Sequence, residues 1–372
     1  MRILMINVVC GTGSTGRICT DRAKELSAQG HEVRIAYGRG EVPEPYRSCA
    51  VRIGKDADVY RHVLKARLFD AAGFGSRRAT KQFIRWVREY DPDEIHLHNL
   101  HGYYIHLEVL FAYLRTCGKR IIWTLHDCWA FTGHCAHYMA ASCDKWRTGC
   151  FSPCPEKGSY PKCLLIGRCR ENYERKKRLF VGIPNLEIVV PSKWLAGEVK
   201  AGFLRAYPVE VITNSIDESV FRPTGGSFRR DRGLTDRVLL LGVAGTWTKR
   251  KGLEDFVRLS RMLDDRFRIV LVGVDSKQMR KLPDRIIGIR RTDSREELAA
   301  IYTAADVFIN LTYEDNYPTV NLEAQACGTP VITYDTGGCR ETIRLEQSVV
   351  VKTGDLESVI RELRRMSGTG KA

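Results

Sequence analysis

Two carboxylates and a run of cations are the residues in this sequence best placed to do chemistry. Asp315 and Glu323 are separated by seven residues, and the first lies in a polar loop, Tyr313-Glu314-Asp315-Asn316-Tyr317-Pro318. An apolar strand, Val307–Leu311, leads into the loop, and a helical stretch, Thr319–Cys327, leaves it. Gly328 suits the helix C-terminus and Pro330 prevents its continuation, after which Val331-Ile332-Thr333 resumes the sheet. In an open parallel sheet, ligands sit in the crevice at the carboxyl ends of strands. A carboxylate held there can accept hydrogen bonds from two vicinal hydroxyls, as a ribose presents them. The free amides of the helix start attract phosphate. Upstream, Lys249-Arg250-Lys251-Gly252 stands between the strand Val238–Ala244 and the helix Leu253–Leu263. Helix amides, helix dipole and lysine would act there on one diphosphate; the plainer alternative is a solvated turn.

The elements that must position these groups alternate between strand and helix patterns nearly throughout, the rhythm of βαβ units and parallel sheets. The first unit is Arg2–Val9, the loop Gly11-x-Gly13-x-x-Gly16, a helix from about Arg17 to Gln29, and a second strand, His31–Tyr37. The loop formally matches a dinucleotide fingerprint. It fits two uses, approach to a phosphate or sugar, or a tight turn that needs glycine for its backbone angles. A mixed stretch, Val42–Phe74, precedes a helix over Thr80–Glu89, and Asp91-Pro92-Asp93 reads as a turn rather than a metal motif. Two strands end in histidine, Glu94–His98 and Lys119–Asp127, so His98 and His126 would face one crevice of a parallel sheet. Further strands are expected at Leu186–Val190, Val209–Thr213, Arg268–Val272 and Ile286–Ile289, with a helix at Glu296–Ala305.

Cysteine is unevenly used. Of 13 cysteines, seven lie between Cys128 and Cys169, in a loop-rich insertion that also holds His134 and His137. Cys135, Cys143, Cys150 and Cys154 have the number and chemistry of a tetrahedral zinc site that would fold the loop. Free buried thiols are the competing use. Disulfides fit less well with an odd count and no recognisable export signal. The stretch Arg168–Phe180 is strongly basic and has Leu164, Leu165 and Val181 close by, which suits a solvated face or a surface turned toward anionic lipid.

Lys and Arg total 59 against 44 acids, a formal charge of +15, which favours anionic partners. No apolar run is long enough to span a bilayer, and Met1–Val9 reads as a first strand rather than a signal peptide, so the expected location is the cytoplasm. No base-stacking or helix-insertion module for nucleic acid is visible, and no nucleic-acid partner is expected. The composition shift around Thr224–Ser227 divides the chain into residues 1–222, with the insertion at about 128–169, and residues 223–355. A terminal helix from Leu356 to Met366 and a tail, Ser367–Ala372, that looks disordered complete the chain over 356–372.

These landmarks resemble those of the family-4 retaining glycosyltransferases. The resemblance rests on the glycine loop, Thr124-Leu125-His126-Asp127, Asn214-Ser215-Ile216-Asp217, Lys251-Gly252, Asp315-x7-Glu323 with Ala324, Gly328-Thr329-Pro330-Val331 and Gly337-Gly338, in that order. The run His126–Cys135 looks like bacterial members that build capsular, colanic-acid-type or other exopolysaccharides. The resemblance implies an α/β chain of the GT-B fold, two facing Rossmann-like domains with parallel sheets and a cleft between them. It also implies transfer from a nucleotide sugar with retention of configuration, and no divalent ion for catalysis. Glu323 then matches the acid on the ribose, Asp315 the acid near the transferred sugar, and Lys251 the lysine on the diphosphate. Gly13 to Gly16 match the loop closing over the donor, and His126 the histidine near the sugar's distal hydroxyls. Asn316, Tyr317, Pro318 and Thr319 complete the donor side, whereas His98 and Arg17 fall on the acceptor side. Two departures stand out. The first acid is Asp where the family has Glu, so either Glu314 or Asp315 is the working carboxylate. The family's arginine before the lysine is replaced by Gly245 or Thr246, leaving Lys249 and Arg250 as substitutes. The expected acceptor is a saccharide, on a lipid at the inner face of the cell membrane. The readings that compete with this one are a dinucleotide-dependent oxidoreductase, which lacks its acid at Tyr37-Gly38-Arg39, and a zinc-stabilised nucleic-acid-binding protein.

Overall fold

Seven strands of the N-terminal part make one sheet: β1 (Arg2–Asn7), β2 (Glu32–Tyr37), β3 (Ala50–Arg52), β4 (Glu94–Leu97), β5 (Arg120–Thr124), β6 (Leu186–Val190) and β7 (Val209–Val211). Their order is β3-β2-β1-β4-β5-β6-β7, and every pairing is parallel. Six more make the second sheet: β8 (Val238–Val243), β9 (Phe267–Val272), β10 (Ile286–Ile289), β11 (Val307–Asn310), β12 (Val331–Tyr334) and β13 (Val349–Val351). These run β10-β9-β8-β11-β12-β13, again all parallel. The computed structural model describes residues 1–368. Two compact units result, Met1–Ile212 and a second beginning at Thr213.

The central strands are continuous apolar runs because helices cover both faces of each sheet. Ile3, Leu4 and Met5 of β1 and Leu239, Leu240 and Leu241 of β8 are fully buried. Each sheet reverses its winding at one place, between β1 and β4 in the first and between β8 and β11 in the second. Such a switch point leaves a crevice at the carboxyl ends of the two strands, where their loops diverge to opposite faces.

Several elements differ from the sequence-based expectation. The first helix spans Gly13–Ala28, so Gly13 to Gly16 form its opening turn instead of a loop before Arg17. The stretch 42–74 contains β3 and a 14-residue helix, Asp56–Phe69. A short helix, Leu107–Leu114, was not anticipated; most of its side chains are buried. Asp91 adopts a left-handed conformation after the helix Arg77–Tyr90, and Asp93 accepts a hydrogen bond from the Arg2 amide at 2.7 Å, which makes this segment a turn. Residues 213–222 pack with the second unit, where Phe221 joins its core. The terminal helix, Leu356–Gly368, takes in Ser367; residues 369–372 of the expected tail lie outside the described residues.

Candidate functional site in the second unit and histidine rim of the first

The loops after β8 and β11 flank the switch point of the second sheet, and they are locked together by backbone. Gly252 has φ of +75°, and a Cβ there would lie 2.1 Å from the Leu311 carbonyl oxygen, so only glycine permits this approach. Tyr313 donates its amide to the Arg250 carbonyl at 2.8 Å, and the Arg250 guanidinium donates to the Glu314 carbonyl at 2.6 Å. Arg250 is thereby a brace between the two loops. Lys249 is exposed. Lys251 donates from Nζ to Oδ2 of Asp315 at 2.5 Å, with both side chains about a fifth exposed, 22% and 19%. The lysine and the acid expected to serve diphosphate and sugar thus meet at one point. Glu314 is 4% exposed, whereas Asp315 opens toward solvent.

Behind the loop, Asp255 is buried and accepts from the hydroxyls of Tyr313 at 2.7 Å and Tyr334 at 2.8 Å. The Gly338 amide donates to the Asp315 carbonyl at 3.2 Å. Asn316 and Tyr317 are buried, and the Tyr317 hydroxyl accepts from Arg344 at 2.7 Å. Pro318 precedes the helix Thr319–Ala326, an arrangement that suits proline because the first helical amides have no partner within the helix. Glu323 is half-buried on that helix and accepts from the Tyr302 hydroxyl at 3.0 Å. Burial, then the charge of Glu323, hold the Tyr302 phenol well above its usual range, so it stays a donor. Asn321 fixes the helix through its side chain, accepting from Asn310 at 2.8 Å and donating to Thr342 at 2.9 Å.

In the first unit, β4 and β5 are neighbours, which brings His98 and His126 together at their carboxyl ends. His98 Nδ1 and His126 Nε2 are 3.0 Å apart, and the rings stack with an interplanar angle of 14°. Burial, then the proximity of His126, push His98 well below the usual histidine range; burial also lowers His126, to about 4. Both rings are neutral near pH 7, and one must donate the shared proton. The buried Nε2 of His98 has no hydrogen-bond partner among the described residues. His101 bridges Asp127, at 2.7 Å, and the Tyr160 hydroxyl, at 3.0 Å. Burial would raise Asp127, but the charge and hydrogen bond of His101 prevail and hold it below the usual carboxylate range. At the end of β1, Asn7 accepts from the Asn99 amide at 3.3 Å and donates to the Val9 carbonyl at 2.9 Å. Gly16 packs so tightly that a Cβ would meet Val9 at 2.9 Å, while Gly13 and Arg17 are exposed.

Cys135, Cys143, Cys150 and Cys154 line one small cavity together with Cys169, which the sequence pattern did not single out. All are free thiols. The Gly133 amide donates to Cys150 Sγ at 3.1 Å. Among the described residues, no group of three or more His, Cys, Asp or Glu side chains is arranged to hold a metal ion.

Sequence reasoning missed Asp255, Tyr302 and Asn321. Nothing in their own helices sets them apart, since each helix carries several other polar residues, and their partners come from distant segments that only the fold brings near.

The chain was compared with known proteins. A family model described as Glycosyltransferase Family 4 matches residues 15–220, and one described as Glycosyl transferases group 1 matches residues 237–368. Over 362 residues the chain is 24% identical to an Escherichia coli K12 protein carrying the name colanic acid biosynthesis glycosyl transferase WcaC, covering 92% of this chain and 85% of that one. Sucrose-phosphate synthase from Thermosynechococcus elongatus shares the fold with a TM-score of 0.72 at 18% identity, covering 99% of this chain and 90% of that one. Anabaena HepE, solved in complex with UDP-glucose, superposes with a TM-score of 0.65 at 14% identity, over 98% and 89% of the two chains. With one model spanning more than half of its length and a second covering the remaining sheet, this chain belongs to Glycosyltransferase Family 4.

Proposed function

We propose that the protein is a retaining hexosyltransferase that moves a sugar from a nucleotide sugar to a saccharide acceptor carried on a lipid. It would work at the inner face of the cell membrane, in the biosynthesis of a surface polysaccharide. The observation that carries this reading is the pairing of Lys251 with Asp315 at the switch point, with Glu323 on the helix that follows. Glu323 takes the ribose hydroxyls. Lys251 and the start of the helix Leu253–Met262 take the diphosphate, and Asp315, the acid that meets the lysine, lies beside the transferred sugar. In the reaction the bond from the anomeric carbon to the diphosphate breaks, and the acceptor hydroxyl bonds to that carbon from the same face. The hydroxyl proton passes to the departing phosphate, whose charge the cation and amides stabilise. The neutral His98 and His126 offer hydrogen bonds to hydroxyls rather than charge. Similarity to WcaC supports the polysaccharide setting, and similarity to HepE supports a UDP-linked donor.

Titration with UDP-, GDP- and other nucleotide sugars tests the donor site. Glu323→Ala should abolish measurable binding while leaving the fold intact, and unchanged affinity would refute the assignment. A structural zinc ion among Cys135, Cys143, Cys150 and Cys154 belongs to the same proposal, supported by their shared cavity. Closing a tetrahedral set there requires side-chain rotation. Metal analysis of freshly purified protein should find one zinc per chain; folded, zinc-free protein removes it.

A further inference from the structure

Lys251, Asp255, Tyr313 and Asp315 close a ring behind the site. Lys251 Nζ reaches Asp315 Oδ2 at 2.5 Å, and two residues back along the chain the Tyr313 hydroxyl donates to Asp255 Oδ2 at 2.7 Å. Asp255 stands four residues after Lys251, in the first turn of the helix Leu253–Met262. Both chain segments of the ring are held along their length. On one side, the Gly252 amide donates to the Lys249 carbonyl at 3.0 Å and the Asp255 amide to the Gly252 carbonyl at 3.0 Å. On the other, the Tyr313 carbonyl accepts from the Thr336 hydroxyl at 2.8 Å. The hydroxyl contact at the back therefore constrains where the lysine and the acid stand at the front.

Asp255 is 3% exposed, and both of its oxygens are in use. Its Oδ2 also accepts from the Tyr334 hydroxyl at 2.8 Å, and its Oδ1 accepts from the Arg258 guanidinium at 3.3 Å. The two phenol rings meet edge-on, with centroids 5.6 Å apart. Burial, then the hydrogen bond and charge of Asp255, push the Tyr313 phenol up to about 12 and raise Tyr334 as well, so both remain donors. Burying a carboxylate is costly, and packed apolar side chains would serve stability as well. What the carboxylate adds is direction, because it dictates where two hydroxyls lie. The two tyrosines differ in what else holds them. Tyr334 ends β12 and is paired in register with Val351. Tyr313 lies beyond β11, which ends at Asn310, and so outside the strand ladder.

We propose that Asp255 is a positioning residue for sugar transfer: through the Tyr313 hydroxyl it holds the loop that carries Asp315 in register with Lys251, and so sets turnover rather than donor affinity. The roles of Lys251 and Asp315 come from the transferase reading, on which this proposal rests. Donor affinity is spared because Glu323 has a separate support in Tyr302. The test compares variants of the full chain by nucleoside diphosphate release from UDP-glucose, UDP-galactose and GDP-mannose, by titration with the same donors, and by melting curves. Tyr313→Phe removes one oxygen and keeps the ring. Its kcat should fall about tenfold or more, as for a misplaced reacting group, while donor Kd stays within about threefold. Tyr334→Phe removes the other hydroxyl from the same carboxylate. It should lower Tm at least as much as Tyr313→Phe does and cost less in kcat, since the sheet still holds its segment. Asp255→Asn combined with Tyr313→Phe should lose no more turnover than the worse single variant, because the two residues share one contact.

Unchanged kcat in Tyr313→Phe would overturn the proposal. So would equal losses of kcat in the two phenylalanine variants, or losses that multiply in the double variant. Should Asp255→Asn fail to fold, the phenylalanine variants still decide. Hydrogen exchange on Tyr313→Phe gives a reading that needs no substrate: the amides of residues 313–317 should exchange about tenfold faster or more, and those of β12 at the wild-type rate. Unaltered exchange over 313–317 refutes the positioning whatever the kinetics. A loosened loop in the variant, with a wild type that releases nucleoside diphosphate from no nucleotide sugar, refutes the transferase reading alone.

Discussion

Lys251 and Asp315 lie 2.5 Å apart, each with about a fifth of its side chain in solvent, so removing either leaves a charge at the site without its partner. Lys251→Ala should lower kcat/KM by about 100-fold or more, the scale seen when one preorganised charge or donor is lost. Asp315→Asn should also impair turnover, and the double variant should fall short of the product of the two because the residues act as one unit. Thermal stability should change little, since partly exposed ion pairs contribute at most about 1 kcal/mol. Steady-state kinetics and a melting curve on the three variants check both statements. Their residue types and their places at strand ends made these two side chains, and Glu323, visible in the sequence. The hydroxyl of Tyr302 on Glu323 was not visible, because its segment approaches the helix Thr319–Ala326 only after folding.

At the level of elements, the contact between the loops after β8 and β11 leaves no room for a side chain at Gly252. Gly252→Ala would put a methyl 2.1 Å from a backbone oxygen in a left-handed conformation, so the loops must separate. A destabilisation of more than about 1 kcal/mol is expected, with loss of turnover beyond what the lower stability explains, because Lys251 is displaced as well. Urea unfolding read alongside kinetics measures the two. The strands that build these loops were legible because covered parallel strands are unbroken apolar runs. The helix Asp56–Phe69 was not, and the reason is physical: Tyr60, Leu64 and Phe69 face outward, so its apolar residues do not keep the inward period by which a helix is recognised. The insertion's path was equally hidden, since irregular segments are positioned by partners far away in sequence, such as Arg67 for Leu164.

For the molecule as a whole, acid should act on one unit first. All nine histidines precede residue 138 and so belong to the first unit. Burial lowers His62, His106 and His126 to about 4, and burial with the nearby His126 also holds His98 well below the usual histidine range. Between roughly pH 6.5 and 4 the unfolded chain therefore binds protons that the folded unit refuses, and stability falls as pH falls through that window. Calorimetry at pH 7 and pH 5, with hydrogen exchange to assign the transitions, should show the first unit melting earlier at pH 5 and the second shifting less. That the chain forms two units was readable from its length and from the repeated strand rhythm. The place of passage was harder to see, since the glycine-rich stretch near Thr224 lies inside the second unit. Phe221, just before that stretch, sits edge-on against Tyr302 with ring centroids 6.1 Å apart, and Tyr302 in turn holds Glu323. A fragment of the second unit that started at Pro223 would lack this plug and slacken the acid's support from behind, while one that started at Thr213 would carry its own.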